Sequence, residues 1–120
     1  FWLCGVDDYM LGKTDVRAAL QGSLPDEMKL LLAHNPAILG RAAYAGIDLM
    51  LSGHTHGGQV KLREPRESIL FPNRKRRLRN GLHQRKNTQI YITRGIGTVV
   101  LPVRYQCPPE ISLLELRATN

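Results

Sequence analysis

The sequence predicts an α/β fold, a mixed β-sheet with flanking helices. Short apolar runs alternate with helical segments through the first half of the chain, as in folds with parallel strands. The second half has short apolar stretches between glycine and proline turns, which is typical of antiparallel strands. A chain of 120 residues is long enough for one domain, which we expect to span residues 1–120.

Three apolar runs predict the strands of the first half, at residues 2–6, 28–33 and 47–51. A helix is predicted between the last two, at about 36–45, so that strand, helix and strand form a βαβ unit. The strands of such a unit are parallel, and ligands bind at the edge where their carboxyl ends meet.

Capping residues indicate where the two predicted helices begin. Thr14 or Asp15 can cap a short helix over 15–21, whose apolar side chains share one face. Asn35 is a suitable N-cap for the second helix, and Pro36 suits its first helical position. Both helices are therefore expected to start at side chains that accept hydrogen bonds from the first turn.

Short strands around a glycine turn are predicted for the second half. Residues 89–93 alternate as a strand, 94–98 form a tight turn, and 111–116 form a last strand. Prolines and a glycine interrupt any long element in the basic loop between 61 and 88. We therefore expect the second half to be antiparallel and the first half parallel.

Histidines follow two of the predicted strands, His34 after one and His54 and His56 after the next. A single histidine in an apolar environment is more often a core residue with its hydrogen bonds satisfied. Three at neighbouring strand ends favour metal binding instead, because neutral imidazole is the commonest metal ligand in proteins. His83 stands among basic residues and is interpreted as solvent-facing.

Few carboxylates are available to complete a metal site. Asp7 and Asp8 form the one adjacent pair, and they can either bind a hard cation or cap a loop. No carboxylate in the sequence is an evident bridge between two metals ~3.5–4 Å apart.

Two motifs resemble those of calcineurin-like metallophosphoesterases. Residues 53–59, Gly-His-Thr-His-Gly-Gly-Gln, resemble the Gly-His-x-His signature of that family. Residues 33–36, Ala-His-Asn-Pro, resemble the preceding motif, a metal-binding histidine at the end of a strand. Residues 5–8 and 93–111 are similar to a bacterial phosphodiesterase branch, so that the resemblance covers essentially the whole chain in the right order.

The resemblance implies half of a four-layer α/β/β/α sandwich and hydrolysis of phosphoric esters by a metal-bound hydroxide at a binuclear site. His34 and His54 would bind one of two divalent ions (Mn, Fe or Zn), and His56 would bind the other. Asp8, at the rim of the site, and Arg94, in the glycine turn, would be substrate-binding residues. The family motifs Asp-x-His, Gly-Asp-x-x-Asp and Gly-Asn-His-Glu do not occur in this sequence. The resemblance therefore assigns no catalytic residue to these 120 residues, which we expect to be a C-terminal half that is inactive alone.

Positive charge is concentrated in one segment. Ten of the 17 basic residues lie between Lys61 and Lys86, where only two of the ten acidic residues occur. We rank a solvated or substrate-facing loop first, an anionic membrane surface second and nucleic acid third, because only Phe71 is close enough to stack on bases. The alternative function is accordingly a non-catalytic basic module that binds an anionic membrane surface or nucleic acid.

The chain opens on Phe1, within a predicted strand. We therefore expect further sequence upstream, and with it the remaining ligands and the remaining layers. Half of a sandwich exposes surface that would otherwise be interior, so self-association of this part alone is expected.

Overall fold

The computed structural model describes residues 1–60 and 78–118. The strands, numbered in chain order, are Trp2–Gly5 (β1), Lys29–Leu32 (β2), Leu49–Ser52 (β3), Gly81–Arg85 (β4) and Thr88–Ile92 (β5). The helices are Val16–Ala19 (α1) and Leu39–Tyr44 (α2), with short 3-10 helices at Pro36–Ile38 and His56–Gly58. Together they form an α/β fold, as the sequence predicts.

Within these ranges the strands form one mixed sheet in the order β1-β2-β3-β5-β4. The pairs β1–β2, β2–β3 and β3–β5 are parallel, whereas β4 and β5 are antiparallel. The parallel first half is confirmed. The second half was expected to be antiparallel, but β5 lies parallel to β3 and only its other edge is antiparallel.

The predicted caps form at both helices. The Asp15 carboxylate accepts a hydrogen bond from the Ala18 N–H at 3.0 Å, and the Asn35 side chain accepts one from the Ala37 N–H at 2.9 Å. The helices are shorter than predicted. The first ends at Ala19, where the Leu20 N–H turns to the Arg17 carbonyl, and the second is split into a 3-10 turn followed by α2.

Both helices cover one face of the sheet. The side chains of Leu31, Met50, Ile90 and Ile92 are fully buried on this face, in one cluster with residues of α1 and α2. On the opposite face, Leu3, Leu32 and Leu82 remain 45–62% exposed. The described residues thus give one helical layer and one sheet with a second, largely apolar face.

Two predictions for the second half were wrong. Residues 111–116 do not form a strand, and Leu113 is 98% exposed. No described strand pairs with them; a hydrogen bond from the Tyr91 hydroxyl to Glu110 anchors the start of this segment instead. Conversely, Gly81, read as a breaker, opens β4, which a two-residue turn with Lys86 at φ 53° joins to β5.

Most of the basic segment, residues 61–77, lies outside the described residues. The predicted contacts of segment 61–86 with substrate, membrane or nucleic acid therefore stay predictions. At its described end, the Arg79 carbonyl accepts a hydrogen bond from the Thr55 hydroxyl, which brings the segment to the histidine loop. No helix among the described residues is long and apolar enough to cross a membrane.

Candidate metal centre

His34 and His54 lie side by side at the carboxyl ends of β2 and β3. The Gly53 N–H donates to the His34 carbonyl at 3.0 Å, so strand pairing continues past the last paired residues of both strands. The two rings meet edge to face, with centroids 5.2 Å apart and planes at 80°. Parallel pairing of adjacent strands therefore brings these two predicted ligands together, as their spacing in the sequence implies.

Ser52 fixes the strand end that carries His54. Its hydroxyl is buried and donates to the Ala33 carbonyl of the neighbouring strand at 2.7 Å. Its own carbonyl accepts from the Thr93 N–H at 2.9 Å, which ties in the end of β5. Three strand ends are thus held in register directly beneath the two histidines.

The histidine loop, residues 54–59, has an unusual backbone. His54, His56 and Gln59 have φ values of 66°, 48° and 46°, in the left-handed region, and Gly57 and Gly58 are left-handed as well. Left-handed conformations strain residues other than glycine, and such strain clusters at functional sites. The loop therefore has the backbone character of a site that is held in shape by its surroundings.

Gly57 is the most constrained position of this loop. It is buried, and a Cβ atom there would lie 2.5 Å from Cγ of Arg94 and 2.8 Å from Sγ of Cys107. Its φ of 62° also disfavours any side chain. Glycine is thus required both by the backbone conformation and by the space available.

His56 contacts a different group from His54. Its Nδ1 atom lies 3.2 Å from the carbonyl oxygen of Gly97, in the glycine turn that follows β5. A carbonyl only accepts, so this contact requires the proton on Nδ1 and leaves the Nε2 lone pair available. His56 thus stands apart from the His34–His54 pair, with one ring nitrogen committed to the backbone.

Asp7 and Asp8 both cap the loop after β1. Asp8 accepts from the Met10 and Leu11 N–H groups at 2.8 and 2.9 Å, and Asp7 accepts from the Lys13 N–H. These backbone hydrogen bonds lower the pKa of Asp8, and the charges of His34 and His54 lower it further. Asp8 therefore caps a loop within electrostatic reach of the paired histidines.

Arg94 forms an ion pair beneath the histidine loop. Its Nε donates to the Glu110 carboxylate, and both side chains are at least three-quarters buried. Hydrogen bonds from Tyr91 and Ser112, followed by Arg94, lower the pKa of Glu110 to about 2. Arg94 is thereby anchored where it packs against Gly57, and a role in binding substrate stays a prediction.

Gln59 holds the loop at residues 99–101, a role that the sequence did not predict. Its amide nitrogen donates to the Val99 and Leu101 carbonyls at 3.1 and 2.9 Å, and its amide oxygen accepts from the Val99 N–H at 2.8 Å. Val100, at the tip, is 96% exposed with φ 67°. No local pattern in the sequence indicates this role, because the partners of Gln59 lie 40 and 42 residues further along the chain.

The residues present fit part of a metal site. Two adjacent imidazoles suit one divalent transition metal, which takes at least four ligands in a protein. Across residues 1–60 and 78–118, no group of three or more histidine, cysteine, aspartate or glutamate side chains is arranged to hold a metal ion. The chain therefore supplies a pair of neighbouring donors, His34 and His54, rather than a closed site.

Comparison with known proteins agrees with this chemistry. The chain is 35% identical over 118 residues to metallophosphoesterase YkuE of Bacillus subtilis, and 37% identical over 116 residues to phosphodiesterase YaeI of Escherichia coli. These alignments include 98% and 97% of the chain, but 41% of either relative. A transmembrane protein with a metallophosphoesterase domain from Bos taurus is 36% identical over 129 aligned residues, including 98% of the chain and 28% of that protein.

No protein-family model matches the chain, and no solved structure matches it. The relatives are nevertheless named metallophosphoesterases or phosphodiesterase, and their alignments include 97–98% of this chain. The chain spans about two fifths of the length of the first two of them. The chain is therefore related to proteins named metallophosphoesterases and phosphodiesterase, and it aligns with a part of their length.

Proposed function

We propose that this chain is the histidine-bearing part of a phosphodiesterase that requires two divalent metal ions. The pairing of His34 and His54 at the ends of adjacent parallel strands carries the proposal, since it offers two metal ligands at the edge where α/β sheets bind ligands. The family relationship supports the same chemistry, and the name of the E. coli relative suggests a diester substrate.

His34 and His54 bind one cation through their ring nitrogens, and His56 offers Nε2 to the other. His54 is exposed and His56 is partly exposed, so both imidazoles are accessible to ions from solution. The bound cations would polarise the phosphoryl oxygens and lower the pKa of a water molecule. Iron and zinc suit imidazole ligands, and manganese suits a site that adds carboxylate or water oxygens to them.

Substrate attraction is a property of the chain's charge. The formal net charge of +7 favours encounter with an anionic phosphoester and disfavours cationic substrates. Asp8 weakens the attraction of anionic substrates near the histidines, because its negative carboxylate lies within electrostatic reach of His34 and His54. It therefore favours the cations rather than the phosphate, at the rim where the substrate enters.

The second face of the sheet supports a larger fold. Leu3, Leu32 and Leu82 form exposed apolar surface on the side away from the helices. In the whole protein a second sheet would bury this surface, which gives the four layers of an α/β/β/α sandwich. That sheet would also bring the ligands that this part of the chain does not supply.

A chimera tests the function directly. The 116 matched residues of the E. coli phosphodiesterase are replaced by this chain, and hydrolysis of bis(p-nitrophenyl) phosphate is measured with and without Mn²⁺. We expect Mn²⁺-dependent hydrolysis that a chelator abolishes and a metal refill restores. A folded chimera that binds Mn²⁺ and hydrolyses nothing would contradict the proposal.

The 120-residue chain alone is the matched control. Because it holds an incomplete set of ligands, we expect no hydrolysis above the metal-only background at equal concentration. Robust turnover by the chain alone would show that the further ligands are not required.

A further inference from the structure

Arg104 makes an unusual set of contacts to the backbone. Its Nη1 donates to the carbonyls of His56 and Cys107, both at 3.2 Å. Its Nη2 donates to the carbonyls of Arg94, Gly95 and Gly97, at 2.9, 3.1 and 2.6 Å. One guanidinium thus serves five backbone oxygens.

Four of these five oxygens belong to the two segments that determine where His56 lies, and the fifth is the carbonyl of Cys107. One is the carbonyl of His56 itself, and three are in the glycine turn at 94–97. The Gly97 oxygen accepts from Arg104 and also from Nδ1 of the His56 ring. Arg104 therefore joins the backbone that carries the ring to the acceptor that orients it.

We propose that Arg104 is a positioning residue that holds His56 as the Nδ1–H tautomer, with Nε2 free to bind a cation. The metal-binding part of this inference rests on the proposed function, whereas the tautomer does not. Arg104 holds the Gly97 oxygen in place, and that oxygen selects the nitrogen that carries the proton. Hydrogen bonds to the other nitrogen generally fix which histidine nitrogen is available to a metal.

Arginine suits this position better than lysine. The guanidinium offers five donors in a rigid plane, which can reach two backbone segments at once, whereas an ammonium is a compact point charge. The contacts of Arg104 in the described part of the chain are all to backbone oxygens and to Sγ of Cys107. The Nε atom of Arg104 is buried without a hydrogen-bond partner, so the hydrogen bonds that hold the guanidinium are those of Nη1 and Nη2.

The tautomer can be measured on the metal-free 120-residue chain. Long-range ¹H–¹⁵N spectra at about pH 8.5, some two units above the ordinary histidine pKa, distinguish Nδ1–H from Nε2–H for each ring. We expect Nδ1–H for His56 and Nε2–H for His83, whose Nε2 lies 2.9 Å from the Asn80 carbonyl oxygen. A wild-type His56 that carries its proton on Nε2 would overturn the proposal.

Arg104→Met then tests the cause. We expect His56 to lose its preference and to show the tautomer mixture of free histidine, while His83 is unchanged. The amide signals of Ile90 and Ile92, both fully buried, report whether the sheet is intact. An intact sheet with an unchanged His56 tautomer would contradict the proposal.

Two further variants separate positioning from general stability. Arg117→Met removes an exposed guanidinium that bonds only to Glu115 in the described structure, and should leave the His56 tautomer as it is. Arg104→Lys keeps the charge and should retain part of the Nδ1–H preference. If Arg104→Met does not fold, an Arg104→Lys chain with the full wild-type preference overturns the proposal, and a partial loss supports it.

The outcomes for Arg104 and for the phosphodiesterase are distinguishable. A failed tautomer prediction leaves hydrolysis by the chimera untouched. A chimera without hydrolysis leaves the metal-free tautomer measurement as it stands.

Discussion

Replacing His54 by alanine in the chimera is expected to reduce Mn²⁺-dependent phosphodiester hydrolysis by more than ~100-fold, because the loss of an outer-shell partner alone costs 10–100-fold. His54 is the one residue that both pairs with His34 and lies in the left-handed loop beside His56. Its removal leaves a single imidazole at the ends of β2 and β3. The measurement is the initial rate at saturating Mn²⁺, with the bound metal counted.

His83→Ala is the matched control for that variant. It removes an imidazole from β4, away from the paired strand ends, and should leave the rate within about twofold of the parent, because surface changes away from such features usually cost less than ~0.5 kcal/mol. His54→Ala with an unchanged rate and unchanged metal content would show that the strand-end pair is not part of the site.

Gly57→Ala is expected to destabilise the chain by about 2–4 kcal/mol, the sum of left-handed strain and overpacking. The new Cβ would meet Cγ of Arg94 and Sγ of Cys107, both closer than 3 Å. Neither can move freely, because Arg94 is paired with Glu110 and Cys107 is fully buried. Urea unfolding followed by circular dichroism measures the change.

Gly46→Ala separates the two causes of that loss. Gly46 also has a positive φ, 79°, but nothing lies within 4 Å of its Cβ position. The free energy of unfolding of Gly46→Ala should therefore fall only by the backbone strain, about 1 kcal/mol. Equal destabilisation by Gly57→Ala and Gly46→Ala would contradict the packing explanation of Gly57.

Sequence reasoning located the strands and caps that depend on local pattern. The runs at 28–33 and 47–51 are apolar apart from Lys29 and Asp48, and both form interior strands of the sheet. Asp15 and Asn35 cap helices because a capping hydrogen bond involves only the next two or three residues. Adjacent strands then brought His34 and His54 together, since parallel strands end at the same edge of a sheet.

Features that depend on distant contacts were not predictable. Residues 111–116 have the composition of a strand, but a strand also needs a partner, and none is among the described residues. Arg104 and Gln59 act on carbonyls far away in the sequence, at Arg94, Val99 and elsewhere, which no local pattern reveals. The left-handed backbone at His54 and His56 is likewise not evident from the local sequence.

We expect the paired histidines at the ends of β2 and β3 to bind a divalent cation. This binding is tested by adding substoichiometric Mn²⁺ to the ¹⁵N-labelled 120-residue chain and recording which signals the paramagnetic ion broadens. Weak binding is sufficient for this measurement, so an incomplete site does not prevent it.

We expect the ring signals of His34 and His54 to broaden first, together with the amide of Asp8, which lies within electrostatic reach of both. Asp26 and Glu27, carboxylates that precede β2 at the opposite edge of the sheet, should keep sharp signals. Broadening that is centred on Asp26 and Glu27, or that spreads evenly over the chain, would contradict binding at the paired histidines.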